Sequence, residues 1–264
     1  MAGMLLIPLV VLVCVNCVHS GERTERVNIN GTGEVPDSLH DPVHGVQMGV
    51  SNDMCDNGKD YLYVDYNGSK REYTCNPKIG TMMKLKRISH KPEPSRKIIY
   101  KIDKSYMPRH YCMYERIIYD TILPTHEGHR PLWPVFGEYQ YVPQQRWLHS
   151  IEHGATVMLY HPCTPKAEVR KLRSLVKKCV WKHIISPYRK LTLGRPLALV
   201  AWGISYEMST VDERDVVRFI RRHALKGPEG TLNRDGQYDY MLLKKSEIPK
   251  GSDRDDKNIC PFFK

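Results

Sequence analysis

Two histidines four residues apart with a carboxylate between them, His149-Ser150-Ile151-Glu152-His153-Gly154, carry the clearest chemical signal in this chain of 264 residues. On a turn of helix both rings leave one face about 6 Å apart at their roots, close enough to hold one metal ion. On a strand they share a face but stand roughly 13 Å apart, and no single ion bridges them. The local backbone therefore decides between a ligand site and a hydrogen-bonded one.

Adding His129 gives a three-histidine metal site with Glu152, in which Glu138 serves as fourth ligand or as a group orienting a ring, and His126 lies nearby. Imidazole-rich sites suit a transition metal such as zinc, copper or iron, and nothing in the residues selects among them. The competing reading is structural, with Glu152 accepting a hydrogen bond from His129 or His153 in the interior. The letters His-x-x-Glu-His also match an inverted zinc-protease signature, but that chemistry needs a long continuous helix. Here Gly154 and an apolar strand pattern follow at once, so a peptidase is not expected. A Gly-x-Ser-x-Gly elbow and glycine-rich phosphate loops are absent from the sequence, which argues against serine nucleophiles and nucleotide chemistry.

The elements that must position these residues follow from periodicity. Residues 155–160 form a continuous apolar run and read as a buried strand. A helix over 166–180 is opened by Thr164 as N-cap and Pro165 in its first turn, with Val169, Leu172, Leu175, Val176 and Cys179 on one face. Residues 183–188 read as a short edge strand and 196–202 as a central one. Thr210-Val211-Asp212-Glu213 has capping-box spacing and opens a helix that Gly227-Pro228 stops. Strand, helix, strand, strand, helix predicts an α+β fold, a mostly antiparallel sheet with helices packed on it. A small hairpin region precedes it, with residues 61–66 and 71–75 as strands around Asn67-Gly68. Residues 97–100 suggest one more strand.

Domain organisation is read as a signal peptide over 1–20, a flexible lead-in over 21–50, a small β-rich region over 51–110, a core over 111–245, and a polar tail over 246–264 tied back by Cys260. The apolar run from 4 to 18 is too short to span a bilayer comfortably, and no later segment is long enough for a transmembrane helix. Secretion is the expectation. Export leaves Cys55, Cys75, Cys112, Cys163, Cys179 and Cys260 to form three disulfides. A helix over 166–180 holds Cys163 and Cys179 about 20 Å apart, beyond disulfide reach, and Cys55 with Cys75 is the favoured pair. Asn30 and Asn67 begin N-glycosylation sequons.

The net charge of +11 is concentrated over 78–104 and 166–190. Outside the cell such a chain meets sulfated glycan or an acidic protein rather than nucleic acid. Arg170, Lys171, Lys177 and Lys178 are the candidate polyanion-binding residues, and this interaction role, with the histidines structural, is the alternative to a metal site.

The succession Pro124-Thr125, His129, Trp133-Pro134, Phe136-Gly137-Glu138-Tyr139, Pro143, the His149 to Gly154 motif, Leu159-Tyr160-His161-Pro162 and Ala201-Trp202-Gly203 resembles the domain of unknown function 3105 family. The resemblance covers residues 111–230. It implies no established reaction. The family's Pro-Thr-Ser-Gly-Pro-His is here Pro124-Thr125-His126-Glu127-Gly128-His129, and the Asn that often follows its first motif histidine is Ser150. Both departures leave His129, His149, Glu152 and His153 in place.

Overall fold

A computed structural model describes residues 10–14, 21–29, 35–75 and 92–263. Asn30, most of the leader and positions 78–91 of the first basic stretch lie outside the described residues. The strands are β1 (Val10–Cys14), β2 (Glu22–Arg26), β3 (His40–Asp41), β4 (Gly45–Val46), β5 (Arg96–Tyr100), β6 (Glu115–Tyr119), β7 (Gly137–Tyr139), β8 (Thr156–Tyr160), β9 (His183–Pro187), β10 (Leu197–Ala201), β11 (Ile204–Met208) and β12 (Leu242–Lys245). The helices are α1 (Gln144–Glu152), α2 (Lys166–Cys179) and α3 (Glu213–His223).

Eight strands form one sheet in the order β1-β5-β11-β10-β8-β9-β7-β12, and β2 with β6 and β3 with β4 make two small antiparallel pairs. Four of the seven pairings in the large sheet are antiparallel, while β9 runs parallel to both β8 and β7. The α+β class read from the element order is the architecture. Alternation along the central strands splits the interior in two. Leu197, Leu199 and Ala201 of β10 join Met158 and Ile185 beneath Leu172 and Val176 of α2 and Phe219 and Ile220 of α3. Ala198 and Val200 face the other way, with Val157, Leu159 and Ile184, against Trp147, Leu148 and Ile151 of α1. Each such apolar side chain removed from water contributes roughly 1.5–3 kcal/mol, so both faces of the sheet are covered.

Two buried ion pairs clamp the segment before β5 onto this body. Arg130 forks onto Asp65 at 2.8 and 2.6 Å, and Arg146 of α1 holds Asp56. Disulfides add to the clamp: Cys55 bonds Cys112, Cys75 bonds Cys163, and Cys179 bonds Cys260.

Several expectations change here. The hairpin over 61–75 is replaced by two 3-10 turns, Leu62–Val64 and Lys70–Glu72, because Tyr61 takes a left-handed φ of 55° that breaks a strand. With the hairpin gone, Cys55 does not meet Cys75, and each bonds a distant partner instead. The exclusion of Cys163 with Cys179 holds, and Cys260 does tie the tail back. Strand β9 is interior rather than an edge, since it pairs on both sides. Pro165 occupies the N-cap position of α2, while the Thr164 hydroxyl donates to the His161 carbonyl. Asp212, not Thr210, caps α3 by accepting from the Asp215 amide at 2.9 Å. Residues 21–29 and 35–50, read from composition as a lead-in, supply β2, β3 and β4 and the buried Leu39 and Val46. Val10–Cys14, inside the segment read as a leader, pairs along β5.

Candidate metal centre

The motif from His149 to Gly154 is the end of a helix. Pro143 precedes α1 with a φ of −69° that feeds the first turn, and all nine helical residues are buried. At the other end the Gly154 amide bonds the Ile151 carbonyl and the Ala155 amide bonds the Ser150 carbonyl, at 3.0 and 2.9 Å. This is a Schellman stop, which needs a left-handed residue, and Gly154 supplies it with φ +80°. A Cβ there would stand 2.6 Å from Leu225 Cα, so the same glycine admits the chain beyond α3. His149 and Glu152 thus sit in the last turn of α1, and His153 at its cap.

Three more histidines arrive on neighbouring backbones. The His110 amide donates to the His44 carbonyl at 2.8 Å, the Tyr111 amide to the His129 carbonyl at 2.8 Å, and the His129 amide to the Arg109 carbonyl at 2.9 Å. His44, His110 and His129 are side by side. The turn before His129 is held by Glu127, whose carboxylate accepts from the amides of Thr125 and His126 at 2.6 and 2.8 Å.

The ring orientations set the chemistry. Nδ1 of His110 lies 2.8 Å from the Val46 carbonyl, Nδ1 of His129 2.9 Å from the Glu127 carbonyl, and Nδ1 of His149 2.6 Å from the Arg130 carbonyl. A carbonyl only accepts, so each Nδ1 carries a proton and each ring turns its Nε2 inward. Orientation of this kind is what metal-binding histidines require. Nε2 of His110 and of His149 are buried without a hydrogen-bond partner, while Nε2 of His129 lies 3.0 Å from Glu152 Oε2. One donor atom from each of His110, His129, His149 and Glu152 lies within 4.8 Å of the other three. Donors at zinc's bond length of about 2.1 Å stand roughly 3.4 Å apart, so closing on an ion moves each group less than about 1 Å.

Electrostatics agree with neutral imidazoles at His110 and His149 beside a charged Glu152. Burial lowers the pKa of His110, and burial with the neighbouring rings of His129, His153 and His110 drives His149 well below the usual range. Burial alone would raise Glu152, but the imidazoles of His110, His129 and His44 facing it hold it well below the usual carboxylate range. Burial likewise opposes charge on His44, yet Glu152 and Asp41 outweigh it and push the ring up to about 9. Trp133 closes the far side, its ring 5.0 Å from His149 and 4.4 Å from His153.

The fold brings together His129, His149 and Glu152, as expected. His153, expected as a ligand, is only adjacent, with Nδ1 3.2 Å from Glu229 Oε2, and His110, which was not expected, completes the tight group instead. Glu138 is elsewhere, on β7 and 2.9 Å from Arg173. His126 is also apart, its Nδ1 2.9 Å from the Thr125 hydroxyl and its ring among Tyr100, Tyr106 and Trp202. Sequence reasoning missed His44 and His110. The only signal for His110 is its place two residues before Cys112, and His44 lies in a stretch with no apolar period.

Fold and centre together define a mixed α+β domain that buries an imidazole-carboxylate cluster between its helix α1 and three strand-like segments. Residues 110–236 match the family model described as Protein of unknown function (DUF3105). No curated protein and no solved structure matches the chain.

Proposed function

We propose that this is a secreted protein whose buried centre binds one transition metal ion through His110, His129, His149 and Glu152. The observation that carries the reading is the set of three inward Nε2 atoms, each fixed by an Nδ1 on a backbone carbonyl, meeting one carboxylate in an interior without water access. Leaving the Nε2 atoms of His110 and His149 dry and unpartnered costs about 1–3 kcal/mol each, and a cation removes that cost. Three imidazoles and a carboxylate suit zinc, copper or iron. Three disulfides and the absence, among the described residues, of a helix long and apolar enough to cross a membrane accord with export. Cleavage after Ser20 takes away edge strand β1 and leaves the other pairings of the sheet intact. Asn67 is exposed, as a glycan acceptor must be.

Elemental analysis of untagged protein, beside a His129→Ala/His149→Ala variant, tests the reading. Stoichiometric metal in the first and none in the second is expected; a metal-free first sample rejects it.

A second reading, binding of sulfated glycan or an acidic protein, draws on α2. Arg170, Lys171 and Lys178 are exposed there, whereas Lys177 is 3.9 Å from Glu138 and the Lys171 ammonium donates to the Val211 carbonyl. Charge reversal at Arg170 and Lys178 should advance elution from heparin more than reversal of two lysines elsewhere. Equal effects reject a dedicated face.

A further inference from the structure

The carboxylate of Glu152 has two differently occupied edges. Its Oε2 faces His129 at 3.0 Å and His110 at 3.8 Å, toward the proposed ion. Its Oε1 faces His44 Nε2 at 3.5 Å, and that same nitrogen is 4.0 Å from Glu229 Oε1. Beyond lies His153, with Nδ1 3.2 Å from Glu229 Oε2. His44 Nε2, Glu152 Oε1, both ring nitrogens of His153 and Glu229 Oε2 are buried atoms without a hydrogen-bond partner.

We propose that the centre is binuclear: a second divalent transition ion sits between His44 Nε2, Glu152 Oε1 and the Glu229 carboxylate, with Glu152 bridging the two ions. The inference rests on the single-ion reading above and extends it. Separations of 3.5 and 4.0 Å are too long for a hydrogen bond, yet two donors on one ion at about 2.1 Å stand roughly 3.4–4.2 Å apart. The gap fits a cation. His44 is oriented for it, since Asp41 Oδ2 accepts a hydrogen bond from Nδ1 at 2.9 Å and leaves Nε2 facing inward, where the ion would displace the proton that the two acids hold on the ring.

Glu229 is equally built in. Its amide donates to the Glu152 carbonyl at 3.1 Å, and the Leu225 amide to the Gly154 carbonyl at 2.9 Å, which lays the Gly227-Pro228-Glu229-Gly230 turn against the end of α1. Gly227 is required at that contact, because a Cβ would collide with the carbonyls of Glu152 and Ile151. The Glu229 side chain is 21% exposed while the others are nearly dry, so the second ion lies on the solvent side. One imidazole and two carboxylates form a donor set for zinc, iron or manganese. A carboxylate-bridged pair about 3.5–4 Å apart is the arrangement used to activate water between two metals.

Titration of the chelated, untagged full chain with cobalt(II), with bound metal counted per chain after gel filtration, separates the possibilities. Wild type should bind two equivalents. Asp41→Asn should weaken the second about 10–100-fold and leave the first unchanged, since it alters only the orienting partner of His44. Glu229→Gln should bind one. A wild-type chain that saturates at one equivalent overturns the second site and leaves the first standing; one that binds none overturns both. Because wild-type stoichiometry decides, a variant that misfolds does not obscure the result.

Discussion

His129 Nε2 lies 3.0 Å from Glu152 Oε2 with neither side chain exposed to solvent. The other nitrogen of His129 is committed to the Glu127 carbonyl, so the contact needs either a second proton on the ring or a cation between ring and carboxylate. Three further imidazoles crowd the same carboxylate or the same ring, and a proton cannot satisfy all of them at once.

Neutralising the carboxylate tests its role in the metal-free fold. Glu152→Gln leaves the imidazoles without their counter-charge, and loss of one partner from a buried pair costs about 3–5 kcal/mol. Urea unfolding of chelated protein should show that loss, and a change under about 1 kcal/mol contradicts it.

Acid should unfold the chelated protein through its buried neutral histidines. His183, lowered by burial from 6.5 to about 4, contributes stability that is present above 6.5 and is lost as pH falls toward 4. Lowered His110 and His149 act in the same direction. Thermal midpoints should therefore drop below pH 6.5, less steeply in His183→Gln, while His44, raised to about 9, adds stability that is lost as pH rises through 9. A midpoint that rises as pH falls from 6.5 toward 4 contradicts the assignment.

The three disulfides should differ in what they protect. Each closes a long loop, and removing one costs about 2–5 kcal/mol. Only the Cys55–Cys112 bond, two residues from His110, should also weaken metal retention against a chelator. Loss of retention in a Cys179→Ser/Cys260→Ser variant of equal stability argues against this placement.

The Schellman stop offers a fourth test. Gly154→Ala puts a Cβ at left-handed φ and 2.6 Å from Leu225 Cα, a strain and overpacking cost of about 2–4 kcal/mol. A comparable alanine at Gly68, which has open space, should cost less. Equal Tm values for the two variants contradict the account.

Much of the fold was legible because its signals are local. The apolar runs of β8 and β10, the α2 face and the α+β order follow from periodicity alone. Three of the four donors, His129, His149 and Glu152, were legible from their residue types and closeness in sequence, although the choice between helix and strand at 149–153 stayed open until the backbone settled it. His44 and His110 were not, because backbone bonds between residues far apart in the chain bring them to His129. Likewise, aromatic alternation over 61–66 looks like a strand until the left-handed Tyr61 and the tie from Asp65 to Arg130 fold it into turns. Disulfide partners depend on those same long-range contacts.

The most direct test of the centre is an anomalous difference map from crystals of untagged protein, collected at the absorption edge of whichever metal elemental analysis finds. The account predicts a peak about 2.1 Å from Nε2 of each of His110, His129 and His149, beside Glu152. Density with no peak there, and with His129 hydrogen-bonded directly to Glu152, would contradict it.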